Sequence, residues 1–362
     1  MKKQILYFLS LLLIYSATNA QTDTTYKNQK LDYLYFSALQ GDVSSILKKL
    51  DSLPDNKLSK EQLDFKNKYM LRFKSKAEHF DYKTKDTVLI AVMKTYQDYW
   101  RKILLKQQPL EDADKELAKA LTEILWRSYY QNAGINKDTI LNNFTDYTEK
   151  LFKQKNIHIA NGKTSDYYDL LVWAKESEVN YKAALPESET TVKVVFMEDV
   201  VTMGWEEFAT FGTYFPGGWA TPDALYCVKS TYDLNSENFK ISYIKHEAQH
   251  FADYKLYPNL SGADLEYRAK LVELTYADKS AATLITFFIN NSSRDRSNSH
   301  AFANNCVIRD LSKAIFNQDW VSDPSKWKHI SVKEINEKSL ALFKQNSANL
   351  QKAGSTVKEF IN

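Results

Sequence analysis

His246-Glu247-Ala248-Gln249-His250 lies inside an apolar-periodic stretch running from about Ser236 to Leu256, and Tyr257-Pro258 closes it. The period is that of a helix, because the residue before a proline is pushed out of the helical region and ends the run. Residues four apart on a helix stand one above the other. His246 and His250 can therefore aim two imidazole nitrogens at one Zn²⁺, which binds such nitrogens at about 2.0–2.1 Å. Glu247 is one residue from the first His and three from the second. Its carboxylate reaches the same region but stands beside the metal, where a water fits between the two. That is the position of a general base. Two of the chain's six His fall in this one pentapeptide, which sets it apart from a chance pair on a surface helix.

A catalytic zinc needs a third protein ligand and an open position. The metzincin pattern requires a glycine at position 253 and a histidine at position 256. The chain has Asp253 and Leu256, which excludes that class. The next segment, Ser261 to Asn290, reads as a second long helix with a cap at Ser261 or Asp264. Glu266 and Glu273 share one stripe of it, made small-sided by Ala269 and Ala277. Seven residues are two turns, about 10.5 Å along the axis, so one zinc does not take both. Glu266 is the favoured ligand, because it sits in the first turns as the chain returns from the His helix. Glu273 is the alternative ligand, or a carboxylate that orients one of the His. Asp264 is a weaker candidate ligand, and Asp253 is expected to be exposed or supporting.

These residues resemble the gluzincin metallopeptidases, the thermolysin-like division of zincins. The resemblance rests on His246, Glu247, His250 and a Glu on the following helix. It covers about thirty residues closely and 190–310 loosely. It implies a small sheet whose edge strand lies above the His helix and pairs with extended substrate; Tyr226-Cys227-Val228 would be that strand. It also implies a late-helix His as oxyanion donor, which points to His300 in Ser299-His300-Ala301-Phe302. Tyr214, Tyr243 and Tyr267 are alternatives for that role, and Arg294 or Arg296 could grip a substrate carboxylate. Two departures stand out. Only fifteen residues separate His250 from Glu266, and no Asp follows Glu266 by four residues. The implied function is a zinc metallopeptidase acting on a peptide or protein substrate. Two alternatives remain: an extracellular binding protein with a structural zinc closed by Asp264 or Glu273, and a zinc hydrolase acting on a non-peptide amide.

Working outward, residues 21–159 carry helical periodicity, with amphipathic helices at Val88–Leu105 and Ala113–Tyr130. Strand signals come later, at Thr190–Met197 and Ala224–Val228. Four of the nine Gly lie between 204 and 218, and the loop Gly212–Trp219, with Phe215 and Trp219, is read either as a wall or lid of a cleft or as a packed turn. Seven Pro and nine Gly in 362 residues leave little turn punctuation, which argues for helices over a many-stranded sandwich or barrel. The expected class is α+β and predominantly α: a helical N-terminal part over 21–165, then a zincin-like domain over 166–362 with a small sheet and an active-site helix.

Lys2, Lys3, the apolar run Ile5–Tyr15 and Thr18-Asn19-Ala20 form a secretory signal pattern over 1–20, with cleavage near Ala20 and export to the periplasm or exterior. The net charge is +3, of which that segment contributes two, so no nucleic-acid surface is indicated. No later run is long enough to span a membrane, and no motif speaks to oligomeric state. Cys227 and Cys306 are read equally as a disulfide pair or as two buried thiols.

Overall fold

Long helices follow from the scarcity of Gly and Pro, and they dominate the computed structural model, which is α+β and mostly α with a small five-stranded sheet. It describes residues 31–362 apart from Ser165 and Pro222. The signal pattern at 1–20 lies outside the described residues. The described chain divides into two compact units. One comprises the residues up to Ser177 together with Met197–Trp219, and the other comprises Glu178–Phe196 with Ala220–Asn362. The expected boundary between 165 and 166 lies in the turn between the first two strands.

The first unit opens with helices α1 (Leu34–Leu39), α2 (Val43–Asp51), α3 (Lys60–Tyr69), α4 (Thr87–Leu104), α5 (Leu110–Leu125), α6 (Lys137–Leu141) and α7 (Phe144–Gln154). Asp42 caps α2 by accepting the Ser45 N–H, and Asp86 caps α4 by accepting those of Val88 and Leu89. Most of their apolar stripes share one core, containing Ile46, Leu50, Tyr69, Tyr96, Trp100, Leu121 and Phe152, while Ile140 of α6 packs in a smaller cluster with Leu125, Tyr130 and Leu151. Strand β1 (His158–Thr164) pairs antiparallel with β2 (Tyr167–Ala184), with His158 opposite Trp173 and Thr164 opposite Tyr167.

This strand pair was not visible as a period in the sequence. Leu170–Trp173 is buried on both faces, whereas Ala174–Ser177 is largely exposed on both, so no alternation develops. Strand β3 (Glu189–Met203) extends the expected segment, and the short helix α8 (Trp205–Thr210) follows it. The turn into α8 depends on Gly204, at φ +93°. A Cβ there would lie 2.2 Å from Asp169 Oδ1, and that oxygen accepts the N–H of Trp205 at 2.8 Å and of Leu170 at 2.9 Å.

The sheet runs β1-β2-β3-β5-β4, with β4 at Gly218–Ala220 and β5 at Leu225–Val228. Tyr226–Val228 was expected to be an edge strand. It is instead flanked by β3 and β4, because the Gly-rich loop ends in a strand of its own. Trp219, in β4, is buried edge-to-face against Trp173 at 5.9 Å.

In the second unit, Asn238–Lys245 is π-helical and runs directly into α9 (His246–Leu256). Helices α10 (Gly262–Tyr276), α11 (Ala281–Asn290), α12 (Ser299–Phe316), α13 (Pro324–Trp327) and α14 (Val332–Ala353) complete the unit. Helix α10 packs against α9, α12 and α14, and every residue from Ala263 to Leu274 is buried. The single helix expected over Ser261–Asn290 is broken at Ala277–Ser280. The Glu237 carboxylate, at the start of the π-helical segment, accepts the N–H groups of Asp278, Lys279 and Ser280, and Asn336 donates to the carbonyls of Leu274 and Ala277. With both new ends satisfied, the break costs little. Among the described residues, no helix is long and apolar enough to cross a membrane.

Candidate metal centre

A helix buried on all sides must partner each charge it carries. Helix α10 carries five in its buried stretch: Asp264, Glu266, Arg268, Lys270 and Glu273. Their partners define the centre and its supports.

His246 and His250 stand one turn apart on α9 with Nε2 atoms 3.1 Å apart. Glu266 enters from α10 beneath them. Its Oε1 lies 3.3 Å from His250 Nε2 and its Oε2 lies 3.4 Å from His246 Nε2. All three residues are buried and form a group able to hold a metal ion. Their spacing matches a tetrahedral ion, whose ligand atoms lie about 3.3 Å apart when each bond is about 2.0–2.1 Å.

Glu273 does not join this group. Its Oε1 is 2.7 Å from His246 Nδ1, which fixes the ring and leaves Nε2 facing Glu266. Of the two roles open to Glu273 in the sequence, it takes the orienting one. Asp264 is also absent from the group. It is paired with Arg296 and accepts the N–H groups of Phe360 and Ile361. No fourth ligand therefore comes from either residue. The same pairing commits Arg296.

Glu247 is fully buried beside the triad, and neither of its carboxylate oxygens has a hydrogen-bond partner. Burial pushes its carboxyl above the ordinary range, against the pull of His250 and His246. Glu266 behaves oppositely. Burial opposes its charge, but His300 and His246 overcome this and hold its carboxyl well below the ordinary range. His246 is raised to about 10: burial disfavours the imidazolium, and Glu266 and Glu273 outweigh it. Both Glu247 oxygens and His250 Nδ1 are buried without hydrogen-bond partners, and the Glu266 oxygens face the nitrogens of His246, His250, His300 and Lys270. Such a concentration of unsatisfied donor atoms is costly unless a cation gathers them.

His300, at the start of α12, places Nδ1 2.9 Å from Glu266 Oε2 and keeps 35% of its side chain exposed. The alternative tyrosines are accounted for differently. Tyr243 donates to the Tyr226 carbonyl and Tyr267 to Asp310 Oδ2, while Tyr214 belongs to the other unit.

Arg268 and Lys270 escaped the sequence reading, and Asp253 was left between two roles. Asp253, expected to be exposed or supporting, is fully buried, pairs with Arg268 at 2.9 Å and accepts from Gln249. Arg268 also donates to Asn346 and Ser347 and lies over the Phe343 ring, tying α9, α10 and α14 together. Lys270 is 4% exposed, with Nζ 3.6 Å from Glu266 Oε2. The only sequence signal for any of them was a charge interrupting an apolar run, which ordinarily marks a solvated face. The two cysteines are both free and buried. Burial raises the Cys227 thiol to about 12 and that of Cys306 to about 11.

No family model matches this chain, and no curated protein or solved structure matches it.

Proposed function

We propose that this chain is a zinc-dependent metallopeptidase of the gluzincin kind, with the signal-like segment at 1–20 supporting an exported enzyme. The observation that carries this reading is the pairing of two features. His246, His250 and Glu266 present ligand atoms 3.1–3.4 Å apart, and Glu247 holds an unpartnered, fully buried carboxylate beside them. A structural site has no use for such a base, and the two carboxylates that could close the coordination sphere are engaged elsewhere.

Zinc held by His246, His250 and Glu266 would supply Lewis acidity toward water and toward a peptide carbonyl. The remaining work belongs to side chains of the protein. Glu247, with its carboxyl lifted by burial, takes a proton from the attacking water and delivers it to the departing amine nitrogen. Glu273 keeps the His246 ring in the orientation that turns Nε2 inward. His300 has its Nδ1 against the acceptor-only Glu266 carboxylate, so its Nε2 donates to a developing oxyanion only when the ring is an imidazolium with an N–H on both nitrogens.

The test is Glu247→Gln, compared with wild type in zinc content and in digestion of a peptide library. The variant should keep its zinc and lose hydrolysis by at least about a hundredfold, the usual scale for a lost general base. Full activity in the variant would sink the mechanism.

A further inference from the structure

Lys270 sits four residues after Glu266, one turn along α10, where its side chain is 6% exposed. Among the described residues its ion-pair partner is Glu266, whose Oε2 is 3.6 Å from Nζ, and its remaining neighbour of note is the Phe288 ring at 5.0 Å. A buried ammonium needs a counter-charge, because desolvating it alone costs far more than a packed apolar side chain. The counter-charge here is the same carboxylate that completes the metal triad. The same oxygen also lies 2.9 Å from His300 Nδ1 and 3.4 Å from His246 Nε2.

We infer that Lys270 is an internal cation that shares Glu266 with the metal and thereby sets how tightly the centre holds zinc. The inference rests on the zinc-site reading above. Two effects act in the same direction. Without a metal, Lys270 stabilises the buried Glu266 charge. With a metal held by the same carboxylate, the ammonium and the divalent ion would be close neighbours and repel, and at such short range unit charges interact strongly even at an effective dielectric constant of about 20. Lys270 thus lowers the free energy of the empty centre and raises that of the filled one. A centre built in this way gives up some zinc affinity. It also draws electron density away from Glu266, which leaves the bound ion a stronger Lewis acid. Position 270 is where the gluzincin resemblance had called for an acidic residue, and the carboxylate that orients the His comes instead from Glu273, three residues further on.

The test uses the full chain, with Zn²⁺ titrated against a chromophoric chelator, alongside thermal melts of the chelated and zinc-saturated protein. Lys270→Met and Lys270→Gln should each bind Zn²⁺ roughly tenfold or more tightly than wild type. Each should melt lower when chelated and recover its stability when zinc is saturating. Lys270→Arg, which keeps the charge, should stay near wild type in affinity. A purely structural lysine would behave differently, because its loss would lower both melting temperatures and leave affinity unchanged or weakened. Unchanged or weaker zinc binding in both Lys270→Met and Lys270→Gln would overturn the inference while leaving the zinc site standing. A wild-type protein that takes up no Zn²⁺ would instead overturn the site itself and the inference with it.

Discussion

Glu273 Oε1 lies 2.7 Å from His246 Nδ1, two helical turns beyond Glu266 on the same helix. One stripe of α10 therefore supplies both the carboxylate of the candidate metal group and the carboxylate that orients one of its imidazoles. Glu273→Gln keeps an acceptor but loses the charge. Its zinc affinity should fall roughly 10-fold to 100-fold, the range typical of partners that orient a metal-bound His. Chelator competition reads this directly, and affinity equal to wild type would show that the ring is held by packing alone.

The Asp253–Arg268 pair predicts a large stability effect at a distance from the chemistry. Both side chains are at most 3% exposed. Arg268→Met leaves Asp253 charged, buried and short of its main partner, at a cost of about 3–5 kcal/mol. The double variant Arg268→Met with Asp253→Asn should recover much of that loss. Urea unfolding of the four proteins measures the coupling, and additive losses would contradict the pairing.

Glu237 holds the break between α10 and α11. Glu237→Ala removes the acceptor for three N–H groups and should cost about 1–2 kcal/mol, the scale of a lost helix cap. Burial opposes the Glu237 charge, but the Ser280 hydroxyl and the three N–H groups overcome it and hold the carboxyl at about 2, against 4.5 unperturbed. A carboxyl lowered in the folded state stabilises it fully above its unfolded pKa and stops doing so as pH falls through the folded one. The difference between Glu237→Ala and wild type should thus persist above about pH 4.5 and shrink towards pH 2.

Asp169 should act in the opposite sense. Burial raises it from 3.8 to about 6, despite the N–H groups of Trp205 and Leu170. The folded chain binds this proton more tightly than the unfolded chain. Its contribution is therefore present below about pH 4 and lost as pH rises to about 6, on the order of 3 kcal/mol in all. Asp169→Asn should remove that slope and gain stability relative to wild type between pH 4 and 6. Parallel unfolding curves across that window would refute the assignment.

Some of this was readable from the residues alone. His246, Glu247 and His250 fall within five residues of one helix, so helical geometry brings them together whatever surrounds them. The helices α4 and α5 were equally clear, because each buries one stripe and solvates the other. The hairpin β1–β2 was not, because β2 passes from a stretch covered on both faces to one exposed on both. Glu237, the residue that splits the expected long helix, lies about forty residues before the break, beyond the reach of any local pattern. The two cysteines could not be placed as free or paired without their separation.

The chain's local periodicities and its one spaced pentapeptide settled that it is mostly helical and that two imidazoles and a carboxylate would meet on one helix face. The choice between Glu266 and Glu273, and the placement of Lys270, Arg268 and Asp253 in the interior, depended on how α10 crosses α9, α12 and α14. Spacing along a single helix is set by backbone geometry and is written in the order of residues. The neighbours a buried charge will find are set by packing between helices distant in sequence, and hydropathy alone assigns such charges to the surface.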